Sequence, residues 1–217
     1  RSGDGFSFDE GVRVEGATAL VLEDLPSEEI TYLRVVAIND GGRSFPSSVV
    51  AVRPKNSAAQ VLIVDGFTRL DRNQLVSENL AGYGLGSVVR MSVERMNTFD
   101  YVVAHATALA ALDFSFDTAQ KGGLSALDLS AYDAIVWFAG EQSTADESFT
   151  TAEQTLICDY LAQGGLLFLS GSEYGWDLYE KGDTTDRSFF NNCLGLSYLG
   201  DDGASYVAAT LPGGAAV

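Results

Sequence analysis

Basic residues and histidine are scarce in this sequence, and their scarcity narrows the classes of function open to it. The 217 residues include 13 lysines and arginines and a single histidine, against 30 aspartates and glutamates, so the net charge is −17. A nucleic acid or an anionic membrane requires a positive protein surface, so we expect neither as a partner. Solubility, salt tolerance and cation binding are all compatible with so acidic a chain.

Long apolar runs are also lacking. No run approaches the roughly 20 residues that cross a bilayer, and the N-terminus carries no charged segment followed by an apolar one. We therefore expect no membrane insertion. Because the sequence begins at Arg1 and not at methionine, the missing leader leaves secretion open.

Cysteine is nearly absent. Cys158 and Cys193 are the only two, and their separation matches neither a zinc site nor a redox motif. Two readings stay open, a pair of buried thiols or a single disulfide in an exported protein.

The stretch 60–67, QVLIVDGF, is the most informative part of the chain. Its unbroken apolar run, 61–64, is typical of a strand buried on both faces of a parallel sheet. Asp65 and Gly66 follow that run, where the strand would reach the edge of its sheet. Ligands of open α/β sheets usually bind at that edge, here called the rim.

Strands and helices then alternate along the chain. We predict strands at 114–119, 132–141 and 166–170 and a last one at 196–199 or 206–211, with helices at 98–112, after the capping pair Thr150 and Glu153, and at 186–193. Residues 71–86 have a mixed pattern, read as a short helix and a glycine-rich turn. This alternation predicts an α/β fold with a parallel sheet and helices on both faces.

The N-terminal part has a different period. Residues 20–52 alternate as short strands separated by turn clusters, which indicates an all-β module. Its residues resemble the second half of a fibronectin type III domain, and the positions that carry the resemblance are Leu22, Leu25, Arg34, Val35, Ala37, Asn39, Gly42 and Ser44. One departure is Thr31, which occupies the place of the family's corner tyrosine, with Tyr32 one position late.

This resemblance implies a half β-sandwich with open edges. We expect an upstream segment, not present in this sequence, to complete it. Residues 53–59 are read as a polar joint, which divides the chain into a β module at 1–57 and an α/β domain at 58–217. Truncation of the second domain at its C-terminus is left open.

Three predicted strand ends converge on the rim and carry four carboxylates: Asp65, Glu141, Glu173 and Asp177. They could act as a general acid and base or as oxygen ligands of calcium or magnesium, or they could simply be solvated. Tyr174 and Trp176 could stack on a sugar ring. The remaining candidate ligand-binding residues are Ser143, Thr144 and Ser172.

Residues 171–175, GSEYG, follow a strand and are framed by glycines, as in a nucleophile elbow. The apex is Glu173 and not serine, so serine acyl transfer is not expected. His105, the single histidine, lies in the helix predicted at 98–112. It is either a structural residue of that helix or the partner of a catalytic Glu173 or Glu141.

The block 132–177 resembles the flavodoxin-like superfamily that includes class I glutamine amidotransferase-like domains. Those enzymes place a cysteine at the elbow, where this chain has Glu173, so the resemblance implies the three-layer fold and not amidotransferase chemistry. The pairing of a fibronectin type III module with the stretches VLIVDGF, NTFDYVVAHA, GEQSTADESF and SGSEYGWDL also resembles regions of large secreted bacterial proteins. That resemblance implies a multidomain, extracellular or periplasmic context.

Three functional hypotheses follow. The first is an accessory or ligand-binding region of a secreted bacterial protein that acts on polysaccharide or peptidoglycan. The second is a hydrolase of glycosidase, esterase or amidase type with a carboxylate-based site at the rim. The third is a structural spacer.

Overall fold

The computed structural model describes residues 1–55, 60–142 and 145–201. Its strands are β1 (Thr31–Leu33), β2 (Ile38–Asn39), β3 (Gly42–Arg43), β4 (Val50–Val52), β5 (Val61–Asp65), β6 (Leu75–Asn79), β7 (Ser87–Met91), β8 (Phe116–Gln120), β9 (Ala134–Gly140) and β10 (Leu166–Gly171). Its α-helices are α1 (Val102–Ala111), α2 (Thr151–Ala162) and α3 (Thr184–Ser188), with π-helical turns at Trp176–Lys181 and Phe189–Cys193. Together they form a mixed α/β architecture.

Four parallel strands make the central sheet, in the spatial order β8-β5-β9-β10. Numbered along the chain, these strands are 2-1-3-4, so the order reverses between β5 and β9. That reversal is a topological switch point, where α/β sheets usually bind ligands. All five residues of β5 are buried, as the apolar run in the sequence predicts.

Side chains alternate between the two faces of the sheet, and each face has its own core. Leu62, Val64 and Trp137 point toward α2 and pack with its Ile157 and Tyr160. The opposite face joins the other apolar residues of β5 to α1 in a core of buried residues that includes Val61, Ile63, Phe116, Phe138, Val102 and Ala106. Helices therefore cover both faces of the sheet.

Among the described residues, the N-terminal strands do not form a core of their own. β1 pairs with β4 in a two-stranded antiparallel sheet, and Tyr32, Val49 and Ala51 are buried in the core that α1 shares with the parallel sheet. β4 also adjoins the edge strand β8, where the Thr118 hydroxyl donates to the Ala51 carbonyl at 2.6 Å. Large apolar side chains elsewhere in this region are exposed, Val21, Val35 and Phe45 among them.

Arg53 holds the N-terminal strands against the parallel sheet. It was predicted to lie in a polar joint, yet it is buried, and its guanidinium donates to the carbonyls of Glu28 and Phe114 and pairs with Asp113 at 2.9 Å. The main chain of Arg53 also forms an antiparallel bridge with Phe116. The proposed domain boundary at 57 and 58 falls outside the described residues.

Most elements of the α/β part agree with the sequence prediction, with shifted ends. The capping box of Thr150 and Glu153 begins α2 as expected, whereas α1 begins at Val102 and not at Thr98. Two expectations differ. The region 71–86 has short 3-10 helices at Arg72–Gln74 and Ala81–Tyr83, but it also contains β6, which forms a hairpin with β7. Residues 196–199 are not a strand. The alternative last strand, 206–211, lies outside the described residues.

Cys158 in α2 and Cys193 in the second π-helical turn form a disulfide, with their Cα atoms 5.6 Å apart. This resolves the choice between two thiols and a disulfide in favour of the disulfide. The bond ties α2 to the helical segment after β10 across 35 residues of chain.

We expect the double variant Cys158→Ser, Cys193→Ser to lose about 3–4 kcal/mol of unfolding free energy, because the unfolded chain regains the entropy of a 35-residue loop. Urea denaturation of the oxidised parent and the variant measures the difference. Treatment with a reductant should destabilise the parent and leave the variant unchanged. Equal midpoints for the oxidised parent and the variant would contradict the prediction.

Candidate functional site

The rim is formed by the carboxyl ends of β5, β9 and β10. β9 lies between β5 and β10. The ends of these two strands, at Asp65 and Gly171, are therefore separated by two strand spacings, about 10 Å. The predicted strand ends therefore share one edge of the sheet. How each side chain is held decides what this edge can do.

Asp65 is buried at the end of β5, with 5% of its surface exposed. Its carboxylate accepts from the Phe67 main-chain N–H at 3.0 Å and from Gln120 Nε2 at 3.1 Å, and Ser48 adds a further hydrogen bond. Burial raises the pKa of Asp65 to about 6, and the hydrogen bonds from Phe67 and Ser48 offset part of that rise. Asp65 is thus a buried carboxyl that loses its proton only as the pH rises through about 6.

The loop after β5 closes over this carboxyl. Asn97 is buried and donates to the Phe67 carbonyl at 2.9 Å, while Arg69 pairs with Asp71 and donates to the Glu141 carbonyl. Gly66 is required here, since a Cβ at that position would overlap the indole nitrogen of Trp137. These contacts fix the loop and place it against the end of β9.

Glu173 occupies the apex of the elbow that follows β10, and its φ of +72° lies in the left-handed region. The turn is held by Ser172, whose N–H donates to the Gly140 carbonyl at 2.8 Å. A Cβ at Gly171 would come within 3.0 Å of the Ala139 Cβ, and one at Gly175 within 2.9 Å of the Tyr198 ring. The glycine frame thus allows a strained turn with a carboxylate, partly exposed, at its apex.

The aromatic residues of this loop are placed differently from each other. Tyr174 is buried against Phe149, with ring centroids 5.6 Å apart, and its hydroxyl donates to the Ser170 carbonyl. Burial raises the pKa of Tyr174. Trp176 is half-buried at the start of the first π-helical turn. Tyr174 thus packs in the core beside α2, a position that offers little ring surface to a sugar.

Asp177 holds two parts of the chain together. Its buried carboxylate accepts from the Ser148 N–H at 2.7 Å and from Lys181 Nζ at 3.1 Å. The loop before α2 is thereby fixed to the π-helical turn after β10. These hydrogen bonds use both carboxylate oxygens.

The three candidate catalytic residues are not brought into hydrogen-bonding contact. The ring of His105, on α1, stacks on Phe138 with centroids 4.7 Å apart, and burial lowers the pKa of this histidine. Glu141 is exposed at the end of β9. Within 1–55, 60–142 and 145–201, no hydrogen bond or ion pair joins His105, Glu141 and Glu173 to one another. Ser143 and Thr144 lie outside the described residues.

Among the described residues, no three or more histidine, cysteine, aspartate or glutamate side chains are grouped so that they could hold a metal ion.

A protruding hairpin is the feature of this edge that the sequence reading missed. β6 and β7 leave the loop that follows β5, and the buried Gln74 fixes their base through its carbonyl, which accepts from Ser92. At the tip, Tyr83 is 83% exposed and Leu85 is 63% exposed, each between two glycines. The glycines on both sides of an aromatic residue in a turn were the sequence signal that could have indicated this tip. Gln120 and Asn97, which complete the surroundings of Asp65, carry no such signal.

Comparison with known proteins found no similarity: no protein-family model, no curated protein and no solved structure matches this chain. None of the helices within the described part of the chain is long and apolar enough to cross a membrane.

We expect Asp65→Asn to remove a pH-dependent loss of stability. The folded pKa, about 6, lies above the ordinary value near 4, so the carboxyl stabilises the fold fully below pH 4 and loses that contribution as the pH rises through 6. A shift of about two units corresponds to about 3 kcal/mol.

The measurement is urea denaturation of parent and variant from pH 4 to 7.5. The unfolding free energy of Asp65→Asn relative to the parent should rise across this range, because all other titrating groups are common to both proteins. A difference that does not change with pH would show that Asp65 titrates as an ordinary carboxyl.

Glu173→Gly should be more stable than Glu173→Ala by about 1 kcal/mol, because glycine accepts the left-handed conformation and any Cβ is strained there. Both variants lose the carboxylate, so their comparison isolates the backbone term. Equal unfolding free energies would mean that the elbow relaxes out of the left-handed region in solution.

Proposed function

We propose that this chain is an accessory, ligand-binding region of an exported protein that acts on polysaccharide or peptidoglycan. The observation that carries the proposal is the exposed Tyr83, at the tip of a hairpin that leaves the rim. An aromatic ring that projects from a fixed hairpin can stack on the apolar face of a sugar. Trp176, half-buried at the rim, is the second aromatic available to a ligand there.

Binding is favoured over catalysis by how the carboxylates are held. Asp177 is occupied by Ser148 and Lys181, and Asp65 is enclosed under the loop that follows β5. General acid and base catalysis requires two groups within reach of the same substrate atoms. Exposed Glu141 and partly exposed Glu173 can still contact a ligand, so they remain in the proposed binding surface with Ser172.

Export is supported by the disulfide. Structural disulfides persist in oxidising compartments and are rare in the cytosol, so the Cys158 and Cys193 pair supports an extracellular or periplasmic location. The strong negative charge argues against nucleic acid as the ligand.

The finer fold assignments belong to this proposal as well. The 2-1-3-4 strand order, with helices on both faces, supports a flavodoxin-like domain. The antiparallel pairs β1 with β4 and β2 with β3 support a partial fibronectin type III module. Exposed Val21, Val35 and Phe45 would be covered by an upstream segment that completes the sandwich.

A hydrolase is the second candidate, and Glu173 is the observation that favours it. Strained backbone is concentrated at functional sites, and a left-handed glutamate at a turn between strand and helix has the geometry of a nucleophile elbow. In this alternative Glu173 acts as a general acid or base.

The test is sedimentation of the protein with insoluble chitin, cellulose and purified peptidoglycan. We expect Tyr83→Ala to weaken binding to the preferred polymer about tenfold, since loss of a ring that buries part of its face removes about 1–2 kcal/mol. Leu112→Ala is the control, because Leu112 is also exposed but follows α1 at the opposite end of the sheet.

Product analysis on the same polymers separates the two candidates. Retained protein without soluble products supports the binding region. If the parent releases soluble products and a folded Glu173→Gln variant does not, the hydrolase replaces the binding region as the proposed function. Absence of binding to all three polymers would reject both and leave the spacer.

A further inference from the structure

The side of the parallel sheet at β10 is a surface separate from the rim and the hairpin. Within the described ranges β10 pairs with β9 alone, at the end of the order β8-β5-β9-β10. The Leu166 N–H donates to the Asp133 carbonyl, toward β9. Because successive main-chain groups of a strand point to opposite sides, those of Leu167 and Leu169 point away from β9. These groups, here called the outer edge of β10, are the positions that an added strand would pair with.

An apolar strip borders this outer edge. Leu166 is 66% exposed and Phe168 is 59% exposed. Both lie on the α1 face of the sheet, because their partners in β9, Ala134 and Val136, pack against the core on that face. The helix α1 packs mainly on β4, β5 and β8, so the strip of Leu166 and Phe168 lies beyond its cover.

β10 also lacks the features that protect an exposed edge strand. Such strands usually carry a charged residue, a proline or a bulge that blocks further pairing. β10, with the sequence LLFLSG, has no charged residue and no proline. Its register shift against β9 lies at Ser170 and Gly171, beyond the two leucines whose main-chain groups point outward. Its sequence is thus typical of a strand that is paired on both sides.

The chain returns to the carboxyl end of β10 after the disulfide. Tyr198 stacks on Tyr179 with ring centroids 5.4 Å apart, and its ring lies 2.9 Å from the place of a Cβ at Gly175, in the turn that follows β10. The segment 206–211, which the sequence predicts as a strand and which lies outside the described residues, begins five residues after Asp201. Five residues span at most about 17 Å, and neighbouring strands are about 5 Å apart. The segment therefore begins within reach of the outer edge.

The composition of this segment suits the outer edge. Its sequence, YVAATL, has six residues, as β10 has, and it carries no charge. Aromatic and β-branched residues, which favour strands, are present at Tyr206, Val207 and Thr210. Pro212 and Gly213 follow directly, and this pair is a typical end of a strand.

We propose that residues 206–211 add to the outer edge of β10 as a fifth strand, antiparallel to β10. The direction follows from where the chain arrives, since a strand that starts at the carboxyl end of β10 runs back along it. Antiparallel edge strands are common on otherwise parallel sheets. In this position the segment flanks the apolar strip and prevents a second copy of the chain from pairing with β10. The interface is independent of the proposed ligand-binding surface, because it uses neither Tyr83 nor Glu173.

Amide hydrogen exchange, followed in NMR spectra of the full chain, tests this strand. We expect the amides of Leu167 and Leu169 to be protected in the parent. In Ala208→Pro they should exchange about tenfold faster or more, because proline interrupts the pairing and frees them by local opening. The amides of Leu166 and Phe168 point toward β9 and should stay protected in both proteins, which shows that the variant is folded.

Ala204→Pro is the matched control, because the same substitution lies before the segment and should leave exchange at Leu167 and Leu169 unchanged. Nuclear Overhauser contacts between β10 and 206–211 in the parent, expected within one chain, identify the occupant without a substitution.

Three results would overturn the proposal. The first is a parent in which the amides of Leu167 and Leu169 are unprotected. The second is equal exchange at these amides in the parent and in Ala208→Pro, or an equal loss of protection in both proline variants. The third is contacts to β10 that appear only between differently labelled copies, which would show that a second copy occupies the outer edge.

Discussion

Burial of β5 on both faces is the constraint on which the rest of this structure depends. Its four apolar residues face α1 on one side and α2 on the other, and it pairs with β8 and β9 at its two edges. A strand with no solvent contact must be apolar throughout, up to the point where it leaves the sheet. Asp65 is its last residue, which explains why a carboxyl there is buried and retains a proton to about pH 6.

The loops at the rim use polar groups to hold themselves against the ends of the strands. Asn97, Arg69 and Ser172 use side chains or main-chain groups to fasten loops to strand ends, and Asp177 does the same for the segment before α2. Residues that hold loops in this way have few hydrogen-bonding positions left. The hairpin tip with Tyr83 is, by contrast, exposed to solvent.

The N-terminal region shows how a pattern that is correct locally can mislead about packing. Its alternation indicated the antiparallel strands between Thr31 and Val52, although residues 20–25, also predicted as a strand, form none. It could not indicate that Tyr32 and Ala51 complete the core of the α/β sheet. Arg53 is the clearest instance. In sequence it stands beside a proline in a polar stretch, and in the fold its guanidinium is buried by partners about 25 and 60 residues away.

The sequence by itself determined the elements whose signals are local: the buried strand at 61–64, the capping box of Thr150 and Glu153, and the glycine-framed turn at Glu173. Period, capping and backbone sterics act over a few residues, so they can be read from the chain. Tertiary structure alone decided that Cys158 meets Cys193 and that Tyr174 is enclosed. Those outcomes depend on contacts between distant segments, and no local pattern encodes them.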